Sequence, residues 1–371
     1  MIIDEQEMLA RVRSATEIAL VEPTYKRKYP PLGLAKLESF ARQHGVGASF
    51  SRGYDGRPAD LICVTSLWTY DWDRVLEVLS EVAFLAPGVP VIVGGVAASL
   101  MTKRLDRETP DAVSVFPGYS PALDRCAPDW SLDWQVDEPW DSFSYVFTSR
   151  GCAGKCAYCA VPRIEPGIWT NGGWHDHLDP SLPNVMVSDN NLSSMPREHL
   201  DAVLDLLVRS GKKVVFDNGF DNKLIDDAMA ASLARLRYTR RGMRLAFDRI
   251  EEERTFTAAT RTLIAAGVSK SNIMAYVLYN FTEPPREADH RMRVCTDLGI
   301  RPYPQQYTPL NATSRKPTHV SKLWTLPLLR AFRTFWLFAG NYTKSSFSEY
   351  LTGPKAEKFK IGPNDLRAWK R

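Results

Sequence analysis

Short, wholly apolar runs alternate with stretches of helical period along most of the chain. Ile18 to Val21 predicts a strand, and after it Leu34, Leu37 and Phe40 recur at helical spacing from about Pro31, with Gly45 as the stop. Asp60 to Val64, Val89 to Val93 and Ala112 to Val115 predict further strands, and Val75, Val78, Leu79 and Val82 form a helical stripe among them. Strands that are apolar throughout and separated by helices imply a parallel sheet covered on both faces. Residues 16–125 therefore read as a Rossmann-like domain, whose ligands would bind at the carboxyl edge of the sheet. Before it, residues 1–15 are polar without a clear period and predict a short helix or frayed arm. After it, residues 126–143 set Trp130, Trp134 and Trp140 among acidic residues and prolines with neither period, which predicts a linker packed between domains.

A second series of strands is predicted at Tyr145, Asn184 to Val187, Val214 to Phe216, Met243 to Phe247, Ile273 to Val277 and Ile300 to Tyr303. Helical stripes separate most of them, such as Leu200, Val203, Leu204 and Leu207, ended by Gly211. Six βα units predict a partial (β/α)6 barrel over residues 144–311, with its chemistry at the carboxyl ends of the strands. Those ends are polar: Ser188, Asp189 and Asn190, then Asp217 and Asn218, then Asp248, then Tyr279 and Asn280, then Gln305 and Gln306. Asp and Asn also cap helices and bond turn backbones. Barrel topology nevertheless directs all five sets to one mouth.

Residues 312–371 form a basic extension with a helical pattern, Leu328, Leu329, Phe332, Phe335 and Trp336. The net charge of +4 resides there: residues 315 to 371 carry twelve Lys/Arg against three Asp/Glu, and the remainder thirty-five against forty. A stretch from Arg315 to Lys322, and Lys355, Lys358, Lys360, Arg367, Lys370 and Arg371 interleaved with Phe359 and Trp369, could meet phosphates and stack on bases. The blander expectation is a helix that closes the barrel and a solvated basic end. The most apolar late segment, Leu326 to Phe338, is interrupted by Arg330 and Arg333, and no membrane partner is expected. No amino-terminal stretch reads as a signal peptide. Of six cysteines, Cys63, Cys126 and Cys295 are scattered, which points to a reducing cytoplasm rather than a disulfide framework.

The other three stand in Ser149-Arg-Gly-Cys-Ala-Gly-Lys-Cys-Ala-Tyr-Cys159, which places Cys152, Cys156 and Cys159 at CxxxCxxC spacing. Structural zinc is closed by four ligands, whereas an iron–sulfur cluster on three cysteines keeps one iron open to another molecule. The zinc alternative would recruit a histidine such as His175 or His177 and make the chain a zinc-stabilised nucleic-acid-binding protein. No second cysteine cluster stands by to hold an auxiliary iron–sulfur centre.

The spacing, with Tyr158 before the third cysteine, resembles the motif of the radical S-adenosylmethionine (SAM) enzymes. Tyr29-Pro-Pro-Leu-Gly-Leu-Ala and Pro90-Val-Ile-Val-Gly-Gly resemble the cobalamin-binding-like domain that precedes the radical core in one large branch. The resemblance implies a 4Fe–4S cluster on the three cysteines, SAM on the open iron, and reductive cleavage of SAM to a 5′-deoxyadenosyl radical. It implies a reductant protein such as flavodoxin or ferredoxin. It also suggests Tyr158 near the adenine, Asp189 or Asn190 at the SAM amino group, Asp248 at the ribose and Arg249 at the carboxylate. Asn218, Asp221, Asn280, Gln306 and Tyr307 are the substrate-facing candidates. The cobalamin signature Asp-x-His-x-x-Gly is absent, which tilts the expectation from a cobalamin-dependent methyltransferase towards rearrangement, isomerisation or other modification. A hypermodified pyrimidine in DNA is one such substrate.

Overall fold

The computed structural model describes residues 1–110, 112–314, 316 and 319–370. Arg315 and Arg371 of the basic extension lie outside the described residues. Chain contacts divide the molecule into two compact units, Met1–Pro183 with Leu310–Lys316, and Asn184–Pro309 with Pro317–Arg371.

In the first unit, α1 (Glu5–Ser14), capped by Asp4, leads to β1 (Glu17–Glu22), α2 (Leu32–Gln43), β2 (Gly47–Arg52), β3 (Leu61–Thr65) and α3 (Trp72–Leu85). There follow β4 (Val91–Gly94), α4 (Val96–Leu100), α5 (Thr102–Glu108), β5 (Val113–Val115) and α6 (Pro121–Asp124). The five strands form a parallel sheet in the order β2-β1-β3-β4-β5. Alternate side chains serve two cores. Ile18, Leu20, Leu61 and Cys63 pack with α1 and α2, and Ala19, Val21, Ile62 and Val64 pack with α3 and α5. This is the two-faced burial that the apolar runs predict. The strand β2 escaped the sequence reading because only Phe50 of its six residues is buried, as suits a sheet edge. Trp134, expected between domains, is buried in the α1–α2 core against Phe50, with ring centroids 4.6 Å apart.

The unit continues with β6 (Phe143–Val146), β7 (Ser149–Arg150), α7 (Val161–Ile164) and β8 (Trp169–Thr170). In the second unit come β9 (Asn184–Val187), α8 (Arg197–Ser210), β10 (Lys213–Phe216), α9 (Asp227–Ala234), β11 (Arg237–Tyr238), β12 (Met243–Ala246), α10 (Glu253–Ala265), β13 (Ile273–Tyr279), α11 (Pro285–Asp297) and β14 (Arg301–Gln306). β9, β10 and β11 pair in parallel, as do β12, β13 and β14, and a bridge from Phe220 to Leu245 joins the two sets. The predicted stripe of α8 is buried, and Gly211 ends the helix at φ 66°.

The extension is a packed helical layer: α12 (Leu326–Leu337), α13 (Ala339–Tyr342), α14 (Phe347–Thr352) and α15 (Pro363–Lys370). Phe332 of α12, wholly buried, meets Tyr279 at 4.9 Å, and α12 lies on β14. Both aromatics offered for base stacking have ring neighbours within the chain, Trp369 on Phe347 at 5.0 Å and Phe359 beside Tyr350 at 6.4 Å. No helix among the described residues is long and apolar enough to cross a membrane.

Candidate metal centre and strand-end residues

Antiparallel pairing of β7 with β8 closes the cysteine loop at its base. Gly151 lies at φ 85°, and a Cβ there would stand 2.0 Å from the carbonyl oxygen of Gly167. Only glycine permits that approach. The Gly151 N–H donates to Glu165 Oε2 at 2.6 Å, fixing the backbone just before the first cysteine. Gly154 N–H donates to Cys152 Sγ at 3.2 Å and Val161 N–H to Cys159 Sγ at 3.4 Å, while Cys159 N–H bonds the Cys156 carbonyl at 3.0 Å. A Cβ at Gly154 would lie 3.4 Å from Cys152 Sγ and 3.8 Å from Cys156 Sγ, so both sulfurs gather on this small residue. Amide donors aimed at sulfur suit cluster ligation. Cys156 is exposed and Cys152, Tyr158 and Cys159 are half-buried. The donor set fits an iron–sulfur cluster, whose thiolates bind separate irons. Among the described residues, no group of three or more His, Cys, Asp or Glu side chains is placed to hold a metal ion. His175 lies beside Asp176 at 3.4 Å, and His177 is buried, with a pKa pushed down to about 4 by that burial.

Beneath the loop runs a buried ionic network that the sequence reading missed. Arg150 donates to Asp124 through Nε at 2.7 Å and Nη2 at 2.8 Å, and to Glu165 through Nη1 at 3.0 Å. Lys36 Nζ donates to Asp124 Oδ1 at 2.6 Å, and Asn171 Nδ2 to the Asp124 carbonyl at 2.8 Å. Burial alone would raise the Asp124 pKa; Arg150 and Lys36 outweigh it and hold the carboxyl below its ordinary value. Burial lowers the Lys36 pKa against the pull of Asp124. Lys36 lies 88 residues from Asp124 in the chain, and no local pattern announces such a pair.

In the second unit, Asn218 Nδ2 donates to the carbonyls of Ser188 and Asp189, each at 3.2 Å, and so ties the end of β10 to that of β9. Asp189 is buried and Asn190 half-buried. Asp221 Oδ1 accepts from Lys223 N–H at 3.0 Å, a turn cap. Asp248 Oδ1 accepts from Leu278 N–H at 3.2 Å, linking the ends of β12 and β13. The Arg249 side chain is 63% exposed and meets Glu252 at 3.7 Å. Gln306 accepts from the Tyr279 hydroxyl at 3.3 Å, and Tyr307 packs on Phe281 at 4.7 Å. Asn280, at φ 69°, is wholly buried. It donates to the carbonyls of Tyr307 and His319 and accepts from Ser321 N–H at 2.9 Å, so it latches these loops.

Neither a family profile nor a curated protein sequence matches the chain. Among solved structures, it resembles the radical SAM methyltransferase TsrM from Kitasatospora setae, solved with cobalamin and a 4Fe–4S cluster bound. The TM-score is 0.60 at 14% identity, covering 80% of this chain and 74% of that one. The chain has the radical SAM fold.

In this radical SAM fold, side chains of the chain itself bridge neighbouring strands at the carboxyl edge of the amino-terminal sheet. The order β2-β1-β3-β4-β5 puts the switch point between β1 and β3, where an open α/β sheet takes its ligand. Tyr25 crosses that point, buried, its hydroxyl accepting from Leu67 N–H at 3.0 Å. Burial pushes the phenol's pKa well up. Between β3 and β4, Ser66 Oγ donates to the Gly94 carbonyl at 2.7 Å and accepts from Ala98 N–H at 2.9 Å. Trp68 and Tyr70 stack on each other at 5.4 Å. Burial along this edge is uneven: Tyr25 and Ser66 are buried, while Trp68, Tyr70, Gly94 and Gly95 are half-buried.

One more side chain went unread. Arg244 sits mid-strand in β12, where a buried parallel strand should be apolar, and its Nη1 donates at 2.5 Å to both the carbonyl and Oδ1 of Asp217.

Proposed function

We propose that this protein is a radical SAM enzyme that removes a hydrogen atom from its substrate and rearranges or otherwise modifies it without cobalamin. The observation that carries the reading is the three-cysteine loop on this fold, preformed by Gly151, Glu165 and the amide donors to sulfur. When bound on Cys152, Cys156 and Cys159, the cluster supplies one electron to SAM and thereby a radical that attacks unactivated C–H bonds. Asp189 or Asn190 is assigned to the SAM amino group, Asp248 to the ribose, Arg249 to the carboxylate and Tyr158 to the adenine. Asn218 holds the Asp189 backbone in place for this role. Anaerobic reconstitution tests the reading: about four irons and sulfides per chain, lost in Cys→Ala variants, and 5′-deoxyadenosine released from SAM and reductant. A colourless protein retaining stoichiometric zinc would overturn it.

A second reading, methyl transfer through cobalamin, is favoured by the cobalamin-bound neighbour. A corrin spectrum in protein purified with the cofactor supplied would establish it over the first. For the substrate, a modified pyrimidine in DNA is supported by Lys355, Lys358, Lys360, Arg367 and Lys370, all exposed while their neighbouring aromatics have ring partners within the chain. DNA retention that falls steeply with salt is the expected result.

A further inference from the structure

Between β11 and β12 the chain leaves the sheet for two residues, and both are arginines. Thr239 N–H donates to the Val214 carbonyl at 3.2 Å, and the Gly242 carbonyl accepts from Phe216 N–H at 2.8 Å, so both ends of the excursion stay on β10. Gly242 N–H closes the turn on the Thr239 carbonyl at 3.0 Å, and Arg240 and Arg241 are looped out between them. Arg241 lies at φ 62°, a left-handed backbone that suits glycine or asparagine better than a bulky cation.

The surroundings of this turn are cationic. Burial lowers the Arg241 pKa, the charges of Arg301 and Arg240 lower it further, and only the Tyr342 phenol opposes them. Arg301, the first residue of β14, is bonded to neutral acceptors, the Tyr342 hydroxyl and the Leu337 carbonyl, and lies over the Tyr342 ring at 5.2 Å. The strands β10 and β11 begin with Lys213 and Arg237, exposed and in register, so two like charges share one face. Arg237 Nη1 donates to a carbonyl, that of Gly211, at 2.9 Å. Other exposed arginines of this unit stand against carboxylates, Arg235 on Asp205 at 2.8 Å and Arg197 on Asp201 at 2.9 Å. Among the described residues, Lys213, Arg237, Arg240, Arg241 and Arg301 have no such pair.

These five stand at the amino ends of β10, β11, β12 and β14, opposite to the ends that carry the candidates for SAM and substrate. From β10 across β12 and β13 to β14 is three strand spacings, about 14 Å. Two or three cations would satisfy a free phosphate. A longer row without carboxylates suits a chain of phosphates, whose oxygens guanidinium forks meet in pairs.

We propose that Lys213, Arg237, Arg240, Arg241 and Arg301 form a docking surface for the phosphate backbone of DNA, at the ends of the strands away from the chemistry. The proposal rests on DNA as the substrate and gives the duplex beyond the reacting nucleotide its place.

Fluorescence anisotropy of a labelled short DNA duplex on the full chain, titrated from about 50 to 200 mM salt, reads the number of phosphate contacts. Lys213→Gln with Arg237→Gln and Arg240→Gln, all exposed positions, should lower the slope of log K against log salt by about two to three, at roughly 0.9 per contact. Arg241→Gly, which relieves the left-handed backbone, should lower it by about one. An unchanged slope in either variant overturns the proposal. Lys358→Gln with Lys360→Gln is the control on the basic extension: loss of duplex binding confined to that variant also overturns the proposal and leaves the DNA reading standing. Polyglutamate that competes as well as unlabelled duplex overturns it in favour of an acidic protein. A wild-type chain that holds no duplex at about 50 mM salt sinks the DNA reading, and this surface with it.

Discussion

Replacing Asp124 with Asn tests whether the network beneath the cysteine loop is an obligatory unit. The substitution keeps the shape and removes the charge to which both Lys36 and Arg150 are bonded. Those two cations are 3% and 14% exposed, and Glu165, bonded to Arg150, becomes the one carboxylate left in the set. Stranding a buried charge by removing its partner costs about 3–5 kcal/mol. With a urea slope of about 2–3 kcal/mol per molar, the unfolding midpoint of the first unit should drop by roughly 1–2 M. A whole-chain signal would mix two units. Pulsed thiol labelling read by mass spectrometry separates them, since Cys63 and Cys126 are buried in the first unit and Cys295 in the second. In the metal-free variant, Cys63 and Cys126 should become reactive at lower urea while Cys295 keeps its wild-type midpoint. Adding Lys36→Met should recover part of the loss, because it removes one stranded charge. A shift below about 0.3 M, equivalent to less than about 1 kcal/mol, would refute the claim that the pairs act as a unit.

Gly151→Ala should abolish most iron uptake on reconstitution with an unchanged far-ultraviolet spectrum, because the new Cβ collides with the Gly167 carbonyl; full iron content would contradict the geometry. Phe332→Ala should cost about 3–5 kcal/mol and expose Cys295 at lower urea, since the ring is wholly buried against Tyr279. His177 binds its proton only near pH 4 in the folded chain, against 6.5 in the unfolded one. The unfolded chain therefore takes up the proton first as pH falls, and stability declines from 6.5 downward, by about 2 kcal/mol at pH 5. Comparing urea midpoints at pH 7 and pH 5 checks this, because His177→Gln should lack that part of the decline.

Periodicity made most of the fold legible. The runs at Ile18 and Asp60 and the stripes at Val75 and Leu200 appear where the pattern puts them, because parallel strands and their helices are written in burial. The strand Gly47–Arg52 was illegible for the same reason, as an edge with one buried residue carries no apolar run. The cysteine motif is local in sequence and could be read; its support, Lys36 with Asp124, is joined only by the fold. Arg244 did leave a signal, a cation inside an otherwise apolar strand, where the pattern departs from alternating apolar burial. Tyr25 left none: a tyrosine after a strand reads alike whether it lines a crevice or fills it.

The collision that Gly151 avoids also bears on the order in which the protein is assembled. The loop is held by the Gly151–Glu165 hydrogen bond and the β7–β8 pairing, neither of which involves metal. In a zinc finger, by contrast, metal binding and chain folding are one event. A cluster bound on the three cysteines would therefore enter a loop whose closing entropy is already met by these contacts, and a chelator that strips it should leave the loop's backbone in place, ready to be refilled.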